Sequence, residues 1–123
     1  MSTGTASDVT IREETEHAPG RPEPVAVATP ADTTLVAAGE LLRALAAPVR
    51  IAIVLQLREQ ERCVHELVDA LGVAQPLISQ HLRVLKSAGV VHGERHGREV
   101  VYHLVDEHLS HIVVDAVTHV EEP

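Results

Sequence analysis

At 123 residues and a formal net charge of −8, the chain is long enough for one domain with a modest core. Phe and Trp are absent and Tyr102 is the single aromatic, so that core must be built from Leu, Val, Ile and Ala. One cysteine, Cys63, excludes an internal disulfide framework and predicts a reducing, cytoplasmic setting. The longest apolar run, Ile51 to Leu55, is too short to span a bilayer, and no basic-then-apolar opening reads as a secretion signal.

The charge divides by region. Residues 1–32 carry −4, 33–71 carry −1, 72–98 carry +3 and 99–123 carry −6. Affinity for nucleic acid depends on where charge sits, so an acidic total does not exclude it. Met1 to Asp32 is rich in Thr, Ala, Glu and Pro, shows no apolar periodicity, and reads as a disordered arm (1–32) ahead of a folded domain (33–123). His17 in that arm reads as solvated.

Thr33 or Thr34 is expected to cap a first helix running to about Ala46, with Leu35, Ala38, Leu42 and Leu45 on one face. Pro48 opens a second helix, Val49 to Arg58, apolar on most sides and therefore central. Arg62 to Val64 has room only for a brief edge strand. Val64 to Gly89 then reads as helix, tight turn, helix. Val64 to Leu71 is short and amphipathic, Gly72 suits the left-handed position that ends a helix, and Pro76 suits the first turn of the next.

The second of these helices, about Gln75 to Ser87, places Leu77, Ile78, Leu82, Val84 and Leu85 on one side. Gln75, Ser79, Gln80, Arg83, Lys86 and Ser87 fall on the other, a face of cations, amides and hydroxyls without an acid. Such groups hydrogen-bond base edges and phosphates in a major groove, and Gln75, Ser79, Gln80 and Arg83 are the expected contacts. His81, on the apolar side, reads as a packed histidine. Val90 to Arg95 and Arg98 to Leu104 read as two strands with His96-Gly97 as their turn, and Val100, Tyr102 and Leu104 alternate inward. Arg95, His96 and Arg98 gather at the tip, as in a wing that meets phosphate. The order predicts a mainly α winged helix-turn-helix with a small β-hairpin.

Asp106 is expected to cap a last helix reaching about Val120. Its stripe of Leu109, Ile112, Val113, Ala116 and Val120 has no remaining segment of the chain to cover it, which predicts a homodimer formed through the first and last helices. Along the stripe lie His108 and His119, eleven residues and therefore ~16 Å apart, too far for one ion at Zn–N distances of about 2.0–2.1 Å. Two such helices packed antiparallel about a two-fold axis would bring Asp106 and His108 of one subunit to His119 and Glu122 of the other. That makes two tetrahedral sites suited to zinc. A rival set, His111, Asp115 and His119, spans ~12 Å, so only neighbouring pairs in it could share an ion.

The runs from Leu41 to Arg50 (LLRALAAPVR), Cys63-Val64-His65-Glu66-Leu67, Ser79-Gln80-His81-Leu82-Arg83-Val84-Leu85 and Gly97-Arg98-Glu99-Val100-Val101-Tyr102 resemble the ArsR/SmtB family of metal-sensing winged-helix repressors over about Glu40 to Glu122. Asp106, His108, His119 and Glu122 match the terminal-helix pattern of its SmtB-type zinc sensors. The resemblance implies operator binding by the metal-free homodimer and release on zinc binding. It also implies a hydrogen bond from His119 to the backbone at the end of the recognition helix, here Gly89. A second family site uses Cys-Val-Cys; this chain has Cys63-Val64-His65, lacks the second thiolate, and Cys63 reads as a packed thiol. Two other signals fit the same DNA-binding repressor: nickel or cobalt, and oxidation of Cys63. A zinc hydrolase would need an open coordination position and a base, and no His-Glu-x-x-His is present. No enzyme activity, small-molecule substrate or membrane partner is expected.

Overall fold

The computed structural model describes residues 19–123; His17 and most of the expected arm lie outside them. Residues 21–31 form no helix or strand and are exposed. The rest is α1 (Asp32–Leu45), α2 (Pro48–Glu59), β1 (Arg62–Cys63), α3 (Val64–Leu71), α4 (Gln75–Ser87), β2 (Val91–His96), β3 (Glu99–Leu104) and α5 (Glu107–Glu121). α1 starts at Asp32, ahead of both threonines. Its N-cap is Ala31, which offers no side chain, and the Asp32 carboxylate in the first turn meets the positive end of the helix instead.

Burial makes a single core from every element except β1 and β3, and β3 lays the half-buried Tyr102 and Leu104 against it. Leu45 of α1, Ile53, Val54 and Leu57 of α2, Leu67 of α3, Ile78, Leu82 and Leu85 of α4, Val90 and Val91, and Leu109 and Val113 of α5 close on one another. α2 runs through its middle, which explains why Ile51 to Leu55 is apolar on most sides. Covering the start of α5 also falls to α2: Leu109 and Val113 are buried within the chain, while Val120 is 81% exposed. The apolar stripe of α5 is thus not left wholly to a partner. The segment that covers its first half lies sixty residues earlier and carries no sign of its destination.

Two glycines set the helix ends that frame α4. Gly72 (φ +66°) closes α3, its N–H donating to Val68 O at 2.8 Å. Gly89 (φ +77°) follows α4, with Gly89 N–H to Lys86 O at 3.0 Å and Val90 N–H to Leu85 O at 2.9 Å, the paired bonds of a Schellman motif. Val90 is therefore spent on the cap, and β2 begins one residue later than expected.

The strands form an antiparallel sheet ordered β1-β3-β2, so the hairpin gains a third, two-residue strand through Arg62–Tyr102 and Cys63–Val101 pairs. β2 and β3 pair from Val91–Leu104 to His96–Glu99. The turn is accordingly Gly97-Arg98, one residue past the expected His96-Gly97; Gly97 takes φ +65° at its first position and His96 stays in the strand. Because β3 is central, Val101 and His103 are half-buried along with Val100, Tyr102 and Leu104, and the expected alternation is blurred. Helix-turn-helix followed by a β-hairpin wing is the winged helix-turn-helix fold.

Candidate nucleic-acid interface and metal ligands

α4 buries the line Ile78, Leu82, Leu85, spaced i, i+4, i+7. Leu77 (49% exposed) and Val84 (37%), on the same apolar side of the helix, belong to its flank and are exposed. They lie about a third of a turn from the buried line, beyond the reach of α2 and α3. Gln75, Gln80, Arg83, Lys86 and Ser87 are exposed and Ser79 half-buried, so the acid-free face is open to solvent. At the wing tip Arg95, His96 and Arg98 are exposed. Arg95 Nη1 donates to Gly97 O at 3.4 Å and His96 Nε2 stands 3.6 Å from Glu94 Oε1. Among the described residues no carboxylate pairs with Arg83, Arg95 or Arg98, which leaves three guanidinium charges available to phosphate.

His81 is half-buried and its Nδ1 faces Arg50 Nη1 at 3.1 Å. Its expected packed role holds, with a partner the sequence reading did not name. The clue lay in the end of α1, where Ala46-Ala47-Pro48 offers no glycine to cap the helix and Pro48 has no N–H to give to Ala44 O.

Asp106 occupies the N-cap position of α5 without accepting a helix N–H. Its carboxylate turns to His108 instead, Oδ1 to Nδ1 at 3.1 Å, with both side chains open to solvent. An oxygen and a nitrogen donor of the kinds zinc takes are therefore already side by side. His119 and Glu122 stand exposed at the other end of α5, ~16 Å away by helix rise. Among the described residues no three His, Cys, Asp or Glu side chains converge within one chain. The members of the rival set, His111, Asp115 and His119, are likewise exposed along α5.

Cys63 is buried at 6% exposure and is the N-cap of α3, its sulfur accepting the Glu66 N–H while its own N–H donates to Glu66 Oε1 at 2.9 Å. The thiol thus has a structural task, and His65 points away to Asp69 at 4.0 Å. The N–H of Cys63, and then its thiol, hold the Glu66 carboxyl below the usual carboxylate range.

Residues 47–92, from the start of α2 into β2, match the model of the bacterial regulatory protein, arsR family. Over 99 residues the chain is 72% identical to the HTH-type transcriptional repressor SmtB of Mycobacterium tuberculosis, covering 80% of this chain and 73% of that one. The homodimeric winged helix-turn-helix DNA-binding domain from Mycobacterium bovis superimposes with TM-score 0.67 at 26% identity, over 78% of this chain and 92% of that one. The transcriptional repressor BigR of Xylella fastidiosa gives 0.65 at 30% identity, over 75% and 93%. No described helix is long and apolar enough to cross a membrane, and neither the fold nor its relatives belong to an enzyme. With an acid-free helix face, a basic wing and this likeness to a repressor, the chain belongs to the ArsR family and is a transcriptional repressor of the SmtB type.

Proposed function

We propose that the chain acts in the cytoplasm as a homodimer that binds operator DNA when metal-free and lets go of it when its α5 helices ligate zinc. The observation that carries this reading is the pairing of two features in one small fold. One is an exposed, acid-free α4 face beside a wing whose tip exposes Arg95, His96 and Arg98, the two arginines without a carboxylate partner among the described residues. The other is a preformed Asp106–His108 pair at the start of an exposed helix.

Gln75, Ser79, Gln80 and Arg83 serve the groove, and Arg95, His96 and Arg98 the backbone. Leu35 and Leu42 of α1 and Val120 of α5, all exposed in the single chain, supply the apolar surface for the partner. Asp106 and His108 would hold zinc together with His119 and Glu122 of the partner subunit, a closed two-nitrogen, two-oxygen set. Zinc bound there supplies a fixed cross-link between the two α5 helices. The His119 ring then donates its second N–H to the Gly89 carbonyl and so reports to the end of α4. Gly89 has no side chain, so in this reading its carbonyl is the acceptor, and the bond belongs to the liganded dimer. Burial of Cys63 and its use as a helix cap count against oxidation as the signal.

The test is fluorescence anisotropy on a duplex that the protein selects from a random library, with and without zinc. Tight binding to an inverted repeat without metal, and release with it, is expected. Identical affinity in both conditions overturns the zinc reading.

A further inference from the structure

Arg50 joins three helices with one guanidinium. It lies in the first turn of α2, and its Nε donates to Ala44 O at 2.5 Å and its Nη2 to Arg43 O at 3.5 Å, both in the last turn of α1. α1 ends at Ala46 with φ −89° and ψ 56°; the Ala46 N–H reaches Arg43 O at 3.1 Å and the Ala47 N–H reaches Leu45 O at 3.0 Å, which leaves Ala44 O between them to the guanidinium. The arginine brings donors and a positive charge to the negative end of that helix. Its remaining nitrogen, Nη1, stands 3.1 Å from His81 Nδ1, halfway along α4. A guanidinium only donates, so Nδ1 is the acceptor and the neutral ring carries its proton on Nε2.

His81 sits between the buried line of Ile78, Leu82 and Leu85 and the exposed flank of Leu77 and Val84. Gln80 and Arg83 point away from it. Apolar burial holds α4 against the core but is non-directional, and by itself it tolerates a roll of the helix about its axis. A planar fork with fixed donor directions does not. Among the described residues this is the one side-chain hydrogen bond that ties α4 to another helix.

We infer that Arg50 is a positioning residue for operator binding: through His81 it sets the angle at which α4 presents Gln80 and Arg83, and it hangs that angle on the end of α1. This rests on the DNA-binding reading proposed above. Arg50 itself needs no contact with DNA. Because α1 also supplies the proposed dimer surface, a shift of one subunit against the other reaches α4 through this joint as well as through Gly89.

The experiment uses Arg50→Met, His81→Leu, the double variant and His81→Asn in the full chain. His81→Asn keeps an acceptor near the place of Nδ1. Each is measured by anisotropy on the duplex selected by the parent, over a series of salt concentrations, with nitrogen NMR of the imidazoles at a pH well above the ordinary imidazole range. Both single variants should bind about tenfold more weakly at every salt, with the slope of affinity against salt unchanged, since no phosphate contact is removed. The double variant should be no weaker than the worse single one, and His81→Asn should stay within about twofold of the parent. The His81 ring should show one fixed tautomer in the parent and a mixture in Arg50→Met. Additive losses, a reduced salt slope, parent-like binding by Arg50→Met, or a mixed tautomer in the parent each overturn the joint. Failure of the parent to select any duplex, with the tautomer fixed as expected, overturns the DNA reading instead.

Discussion

Cys63 and Glu66 hold each other at the start of α3, the N–H of Cys63 donating to Glu66 Oε1 at 2.9 Å and the N–H of Glu66 to the thiol sulfur. The ionised carboxylate is favoured in the folded chain, first by the backbone N–H and then by the thiol, so its folded pKa lies below its unfolded one. Stability from this box is complete above the unfolded value and is lost as pH falls through the folded one. Urea unfolding of Glu66→Gln over a pH series should therefore give a curve that falls less steeply in acid than the parent's. Parallel curves would refute the role of the charge.

Gly93 pairs with Tyr102 across the hairpin, and a Cβ there would lie 2.9 Å from Tyr102 Cε2 and 2.9 Å from Val100 Cγ1. The Tyr102 ring packs against the core and has little freedom to retreat. Gly93→Ala should cost about 1–3 kcal/mol, read as a lower urea midpoint with an unchanged slope. A midpoint equal to the parent's would mean that the ring swings aside.

Arg83→Ala removes a cation from α4 and Arg98→Ala one from the wing turn, both exposed and without a carboxylate partner among the described residues. Each variant should weaken binding to the selected duplex and flatten its salt dependence by about one unit. Unchanged affinity in both would place the DNA face elsewhere.

A mixed dimer of His108→Ala and His119→Ala chains tests whether the metal set is shared. With ligands crossing the interface, one site loses both histidines and the other keeps all four. Zinc titration should then find one tight site per heterodimer; two equally damaged sites would show that each chain builds its own.

A His119 analogue methylated on the ring nitrogen that does not ligate should still bind zinc yet fail to release DNA, since it can no longer donate to the Gly89 carbonyl. Couplings of this kind are typically about 1–3 kcal/mol, so the loss reads as a 5–150-fold change in zinc-induced release. Release equal to the parent's rules out the route through Gly89.

The helices and the hairpin were legible because their signals are local. Gly72 and Pro76 bracket the turn before α4, and the spacing of Ile78, Leu82 and Leu85 fixes its buried line. Side-chain partners that depend on distant pairing were not legible. Nothing near Val113 announces α2 as its cover, and nothing near His81 announces Arg50, thirty-one residues earlier. Small errors had local causes too: the Val90 N–H is claimed by Leu85, which delays β2, and Asp106 prefers its neighbour His108 to the helix N–H groups. Asp106 and His108 were singled out by spacing together with the resemblance to the SmtB-type pattern, and their side chains meet in the fold. Their meeting with His119 and Glu122 needs a second subunit.

Because α2 already shelters Leu109 and Val113, a lone chain keeps its hydrophobic interior intact without help. On that footing folding and association would be separate equilibria, and subunits of the proposed homodimer would part without unfolding. Below the concentration at which half the chains are paired, the paired form grows with the square of the total, by mass action. Operator occupancy would then respond more steeply to the cell's supply of this protein than a one-to-one binder could. A modest change in its synthesis or turnover would shift the threshold at which zinc empties the operator.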